Sequence, residues 1–551
     1  MHHTQLNDSA HRDGAAGATV KSGPRWAVVS ACLLCMATTV SSSALLLPYQ
    51  SIWVDESTQM SGLEASPIAA AGWLAGGAKY NTWLQNDRMP PLSYWAGWVW
   101  SRTFGLAEGP MRWLSITSAV VATGLVVAAS CRAWGLASGI CSGLLLGLSP
   151  NVLDHALEIR AYALFLMESA GALGCLVALL SDPPHRASRW LLPMTLCAVA
   201  AIYTHYFGLV LSGACFLAAL VLFPCRGGST RHVLLAIAIT GIACTGVLPF
   251  VLSSVHGSGN ESGAAPKLVF VAQWMYRLYS HPTISLSPLE EGMAALGFAG
   301  AAAVALYLAI RDPLGSGAAA LGLAIALCAG AVVTLLGLFL LKGMIATKPT
   351  YSAWMLPALA MLLSSGLAKK PGRPLWYSSL IGILLLLGAY GAALRERVTY
   401  GEWFTHAPVR RLTSLINTVG PGRVAVIYEG NRDPMLYFPI YYSFRDGVKQ
   451  YVLADQASDK LALDSYPPGV RIDLEDLLAE SLIVIRSEEQ RSTDLVRQLR
   501  DGLKTFSVGP VTRALNGSAR WKLTDSESYR AFLGVDIHIF ERVSTSPRPD
   551  L

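Results

Sequence analysis

Apolar runs long enough to cross a bilayer recur through the first 394 residues, and nothing else in the sequence restricts the fold as much. The first, 26–47, is too long for a signal-peptide core and follows Lys21 and Arg25, so it reads as a retained signal-anchor helix. Further candidate spans fall at about 113–131, 135–150, 161–180, 190–204, 206–224, 233–253, 290–310, 318–341, 351–367 and 375–394. Several are short against the roughly 20 residues a crossing needs. In lipid each backbone N–H and C=O must be bonded within the protein, so such runs fold as helices. Composition agrees, with 53% of residues hydrophobic and 14% charged, against about 25% charged in soluble domains. The expectation is an α-helical polytopic membrane protein with about 11 transmembrane helices.

Charge sets the expected orientation, because loops rich in Lys and Arg stay on the cytoplasmic side. With residues 1–25 as a cytoplasmic tail, the inner loops carry Arg132, Arg186 and Arg189, Arg226 and Arg231, Arg311, and Lys369, Lys370 and Arg373. The outer loops carry Asp55, Glu56, Asp87, Asp154 and Glu158. The alternation depends on one segment. Residues 91–104 are apolar but short, with three Trp, a Tyr and a following Arg102, which suits a helix lying at the interface. Residues 50–112 are therefore one long outer loop with juxtamembrane helices, 66–76 being another, and the membrane module is 26–394.

Beyond residue 395 the chain becomes charged and loses its spans. Stretches 423–428, 481–486 and 535–540 read as strands, and 409–419 and 488–505 as helices. The expectation for 395–551 is a small extracytoplasmic α/β domain. All ten cysteines lie between Cys32 and Cys328, in the apolar part; Cys32 and Cys35 are spaced CxxC but lie inside the first apolar run, and no second pair completes a metal-binding spacing. That excludes a zinc framework and leaves them as small apolar residues. A net charge of +6 without a basic, aromatic-laced groove excludes a nucleic-acid partner.

Four outer segments bring ionisable and aromatic groups to one membrane face. Asp55-Glu56 follows the first span beside Tyr49 and Trp53, and Asp87-Arg88 precedes Met89-Pro90-Pro91 and Tyr94. The second supplies Asp154, His155, Glu158, Arg160 and Tyr162; the third Tyr203-Thr204-His205-Tyr206; the fourth Lys342, Lys348 and Tyr351. Charges at a membrane rim are costly unless paired or used. A carboxylate there can activate an acceptor, and Arg88, Arg160, His205 and Lys348 can neutralise a phosphate. Blander readings stay open: a helix cap for Asp55-Glu56 or Asp154, interfacial anchoring for Arg112, Arg160 and His205, and lipid headgroup contact for Lys342 and Lys348.

The pattern resembles a known family. Asp55-Glu56 followed by Asp87-Arg88-Met89-Pro90-Pro91-Leu92-Ser93-Tyr94 is similar to the acidic pair and the Asp-x-His-Pro-Pro-Leu-Tyr-Tyr stretch of GT-C glycosyltransferases, notably the protein-mannosyltransferase and lipid A aminoarabinose-transferase group. Arg112-Trp113-Leu114-Ser115, Glu158–Leu164 and Thr204–Gly208 resemble stretches of its bacterial members. The resemblance implies a GT-C-like fold in the inner membrane and inverting sugar transfer from a polyprenyl-phosphate donor to a lipid, glycan or protein acceptor at the outer face. It implies Asp55 as the catalytic carboxylate, Glu56 and Asp87 as acidic neighbours, and Glu158 as the acid of the second outer loop. Arg88 and Arg160 would hold donor phosphate, with His205 and Lys348 beside them, and Tyr94, Tyr162 and Tyr351 would line the substrate. Some relatives hold a divalent metal such as Mg or Mn at their acids; here Asp55 and Glu158 would be its ligands. Two departures stand out: Met89 replaces the family's His, and Lys348 stands where an Arg is usual.

Two other classes compete. A lipid-linked sugar flippase would need ionisable groups deep within spans, where Glu168 is the main one. A non-catalytic scaffold for envelope glycan assembly would depend on 395–551 rather than on the acids.

Overall fold

The computed structural model describes residues 24–77, 87, 89–257, 288–340, 352–368, 373–399, 409–430, 434–454, 461–466, 469–488, 508–530 and 534–543. The expected tail 1–23, Arg88, Lys342, Lys348, Tyr351 and nearly all of the expected helix 488–505 lie outside the described residues.

Among the described residues, eight helices are long and apolar enough to cross a membrane. They include α1 (Arg25–Leu46), α5 (Glu108–Trp134), α8 (Ala161–Ser181) and the helices Gly208–Cys225, Pro288–Arg311 and Arg373–Thr399. The three remaining expected spans are helical but fall short of a straight crossing. Helices α6 (Leu136–Gly147) and α7 (Pro150–Leu157) meet at a 57° bend, broken where Pro150 opens the second. Helices Leu191–Thr204 and Met355–Ser365 have 14 and 11 residues, about 21 and 17 Å at 1.5 Å per residue. Residues 92–104 form α4 (Leu92–Phe104), and 67–74 form α3 (Pro67–Leu74), which Ser66 caps through a 3.2 Å bond from the Ala69 N–H. α2 (Val54–Gly62) precedes both.

The bundle core is apolar and closely packed, centred on α5 and α8 with Ile116, Val126, Phe165, Leu173 and Leu176. At one end residues of two basic loops meet on one acid. Arg132 grips Asp182 at 2.5 Å, Arg189 approaches it at 3.4 Å, and Trp190 donates its indole N–H at 2.9 Å. Arg132 and Arg189 both stack on Trp190. At the opposite end sit the chain segments that carry Asp55, Asp87, Glu158 and Arg160.

The C-terminal region is a seven-stranded sheet, β1 (Val424–Gly430), β2 (Lys449–Leu453), β3 (Ala462–Ser465), β4 (Arg471–Asp473), β5 (Ser481–Glu488), β6 (Trp521–Arg530) and β7 (Gly534–Arg542), in the order β4-β3-β2-β1-β5-β7-β6. β2, β1 and β5 are parallel and the other pairs antiparallel. Helices Val409–Val419 and Pro434–Phe444 cover one face, packing Leu412, Ile416 and Ile440 on Val424, Val426 and Tyr428. Helix Pro510–Asn516 covers the other beside Ala425 and Ile427. Buried Glu429 accepts from the Val511 N–H and, at 2.9 Å, from the Thr512 hydroxyl, which satisfies that helix's N-terminus from within the domain.

Candidate functional site

The two acids that open the site divide their work. Both lie in the first turn of α2, where the helix dipole favours negative charge. Glu56, three residues after the N-cap, reaches back to accept the Trp53 N–H at 3.1 Å, one half of a capping box. Its two oxygens meet Arg112 of α5 at 2.8 and 3.1 Å, and Oε1 also accepts the Ile159 N–H at 2.8 Å. Arg112 donates further to Glu108 at 2.9 Å and to the Leu157 carbonyl. Neither Glu56 nor Arg112 has exposed side-chain surface. Burial pushes the Glu56 carboxyl up, and the Arg112 guanidinium and the Ile159 N–H restrain that rise. The pair clamps α2, α5 and the 157–159 segment together. Arg112 thus sits inside the site's framework rather than anchoring a span end.

Asp55 is the residue before Glu56 and faces elsewhere. Its side chain stays 38% exposed, against 0% for Glu56 and 7% for Asp87. Arg160, just before α8, approaches it, with Nη2 at 3.9 Å from the carboxylate and Nη1 donating to the Asp55 backbone carbonyl at 3.1 Å. The same guanidinium grips Asp87 at 2.9 and 3.4 Å, and the Tyr94 hydroxyl donates to Asp87 at 2.6 Å. Burial alone would lower the Arg160 pKa, but Asp87 and Asp55 outweigh it and hold the group firmly protonated. Burial and then the Asp87 charge drive the Tyr94 hydroxyl well above its ordinary value, so it stays a donor.

A second cluster completes the site from α7 and α8. His155 lies 3.7 Å from the Glu158 carboxylate. Tyr162 packs between the His155 and His205 rings at 5.2 and 5.6 Å, and His205 stacks on Phe165 at 5.1 Å. His205 Nδ1 accepts the Phe207 N–H at 3.2 Å, which places the ring proton on Nε2. Burial, then the charge of Arg160, brings its pKa down to about 3, so at neutral pH the His205 ring is uncharged.

Of the residues singled out by sequence, Asp55, Glu56, Asp87, Tyr94, Glu158, Arg160, Tyr162 and His205 gather at one end of the bundle; Arg88, Lys348 and Tyr351 lie outside the described residues. Sequence reasoning missed Glu108 as the acid behind Arg112. It also missed Gln59 and Ser93, which line a small pocket with Arg160, Ser115 and Ser118. The i, i+4 spacing of Glu108 and Arg112 was a readable signal. Among the described residues no group of three His, Cys, Asp or Glu side chains is arranged to hold a metal ion. Glu56 and Asp87 are committed to arginines.

No protein-family model and no curated protein matches the chain. Its architecture does match solved structures. The crystal structure of ArnT from Cupriavidus metallidurans in the apo state is similar at a TM-score of 0.51 and 14% identity, over 93% of this chain and 97% of that one. ArnT from the same organism bound to undecaprenyl phosphate is similar at a TM-score of 0.52, with the same identity and coverage. The chain therefore has the fold of ArnT, the GT-C-like architecture that its sequence pattern resembles.

Proposed function

We propose that this protein transfers a sugar, with inversion, from a polyprenyl-phosphate donor to an acceptor at the membrane face where the site lies. One observation carries this reading. A partly exposed carboxylate, Asp55, stands beside a buried arginine, Arg160, whose charge Asp87 already balances. That is the pairing an in-line displacement at an anomeric carbon needs: a base for the nucleophile and a fixed positive group for the leaving phosphate.

In this mechanism Asp55 takes the proton of an acceptor hydroxyl or amine. The acceptor atom bonds to the anomeric carbon as the bond from that carbon to the phosphate oxygen breaks, and polyprenyl phosphate leaves with the electron pair. Arg160 meets the charge that develops there, and Arg88 and Lys348 are proposed to add to it. Asp87 and Tyr94 keep Arg160 in place, and Glu56 fixes the backbone that carries Asp55. Glu158 with His155 orients the acceptor, Tyr162 and His205 form the aromatic wall, and Tyr351 is proposed to contact the substrate as well. No step is assigned to a metal. The undecaprenyl phosphate bound by the similar ArnT supports a polyprenyl donor. The face is read as extracytoplasmic because the basic loops lie at the other end.

The test has two arms. Mass spectrometry of lipids and glycans in a strain lacking the protein should show a polyprenyl-phosphate sugar accumulating and one polymer missing its mass. Purified Asp55→Asn should fail to transfer from that donor; wild-type turnover by this variant would exclude Asp55 as the base.

A further inference from the structure

α2 carries the proposed base yet has only nine residues, too few to be stable as an isolated helix. Its position is set by what it touches, and much of that is the C-terminal domain. Glu64, two residues beyond α2, accepts from Arg445 at 2.5 Å and from the Tyr442 hydroxyl at 3.2 Å, and the Arg445 guanidinium lies 4.7 Å over the Tyr442 ring. Both residues adjoin the last turn of helix Pro434–Phe444, whose Phe438 enters the apolar cluster of Ile52, Val54 and Met60. On the other side Arg410 donates to the Pro48 carbonyl at 2.6 Å and to Glu108 at 3.4 Å. Glu108 holds Arg112, and Arg112 holds Glu56.

We propose that the C-terminal domain is a positioning element for α2, with Glu64 and Glu108 as the positioning residues through which it fixes Asp55 against Arg160. The inference rests on Asp55 being the base. Misplacing a reacting group by about 1 Å costs on the order of 100-fold in rate, so a helix of this length needs attachment at both ends. The domain is then part of the transferase, not a passenger on it.

Hydrogen exchange on the full-length protein in lipid nanodiscs tests this. Glu64→Gln and Arg445→Gln should each raise exchange in peptides covering 53–64 about tenfold, equivalent to about 1.4 kcal/mol of lost protection, while peptides from 161–181 keep theirs. Tyr442→Phe, which removes one hydrogen bond and no charge, should do so more weakly. The exchanged pair Glu64→Arg with Arg445→Glu should restore protection. Turnover with the polyprenyl-phosphate sugar from the deletion strain should fall with the exchange change while KM for that donor holds. Unchanged exchange at 53–64 in the single variants, or no recovery in the exchanged pair, overturns the proposal. Asp55→Asn separates the two readings: it should abolish transfer and leave exchange at 53–64 as in the native protein. Retained transfer by Asp55→Asn alongside loosened 53–64 in Glu64→Gln would remove the base assignment and keep the positioning role.

Discussion

Arg112 and Glu56 face each other across 2.8 Å with no solvent reaching either side chain. Taking two charges out of water is costly, and the pair is sustained by the additional bonds from Ile159, Trp53 and Glu108. Removing one partner leaves the other buried and uncompensated. Glu56→Gln and Arg112→Met should each lower stability by about 3–5 kcal/mol, seen as a fall in the thermal midpoint in detergent. The double variant Glu56→Leu with Arg112→Met should lose less than the sum of the two. Equal or greater loss would show that the pair is not coupled.

Asp87 and Arg160 form the second ion pair, and here the effects of two substitutions should differ. Asp87→Asn strips Arg160 of its closest countercharge and should destabilise by about 3 kcal/mol or more. Tyr94→Phe removes only the 2.6 Å bond to a carboxylate that Arg160 still holds, and should cost about 1 kcal/mol. Thermal midpoints of the two variants measured side by side check the order, and a reversed order would remove Arg160 as the main partner of Asp87.

Much of this was legible before the structure, and what was not has a physical cause. Long apolar runs and loop charges are local signals, so each expected span is a helix, and β1, β5 and β7 fall where β-branched residues alternate. The shortness of Leu191–Thr204 and Met355–Ser365 was visible too, but whether a short apolar helix crosses the membrane depends on its neighbours. Partners were not legible. Arg445 and Glu64 are 381 residues apart, and Arg112 and Glu56 are 56 apart; no periodicity links them. Helix Pro434–Phe444 was not among the expected elements; it opens on Pro434 and carries Pro439 inside it. Asp55-Glu56 was ambiguous between cap and site for a sound reason: Glu56 supplies the cap, and Asp55 is left to face Arg160.

Gly62 ends α2 against Tyr94. A Cβ built there would lie 2.4 Å from the Tyr94 ring and 3.2 Å from Trp73. Both rings are buried, so the clash cannot be relieved into solvent. Gly62→Ala should cost about 1–3 kcal/mol by overpacking and should also push the Tyr94 hydroxyl away from Asp87. Turnover should therefore fall more than in Tyr94→Phe, where the ring keeps its place. A Gly62→Ala variant with native thermal midpoint and turnover would show that α2 and α4 can separate without consequence.

His205 supplies a pH dependence whose sign follows from its burial. Its folded pKa is about 3, whereas an unfolded His titrates near 6.5. Between those values the unfolded chain binds more protons than the folded one, so stability rises with pH across the window and is lost as pH falls from about 6.5. The slope approaches about 1.4 kcal/mol per pH unit once the unfolded imidazole is fully charged. His205→Phe keeps an aromatic ring against Phe165 and Tyr162 and removes the titration. Its thermal midpoint should therefore fall less between pH 6.5 and pH 4.5 than that of the native protein. At pH 8 the variant should be slightly the less stable of the two, because the Phe207 N–H loses its acceptor. The two stability curves should thus cross on acidification, and parallel curves would mean that His205 is not held neutral.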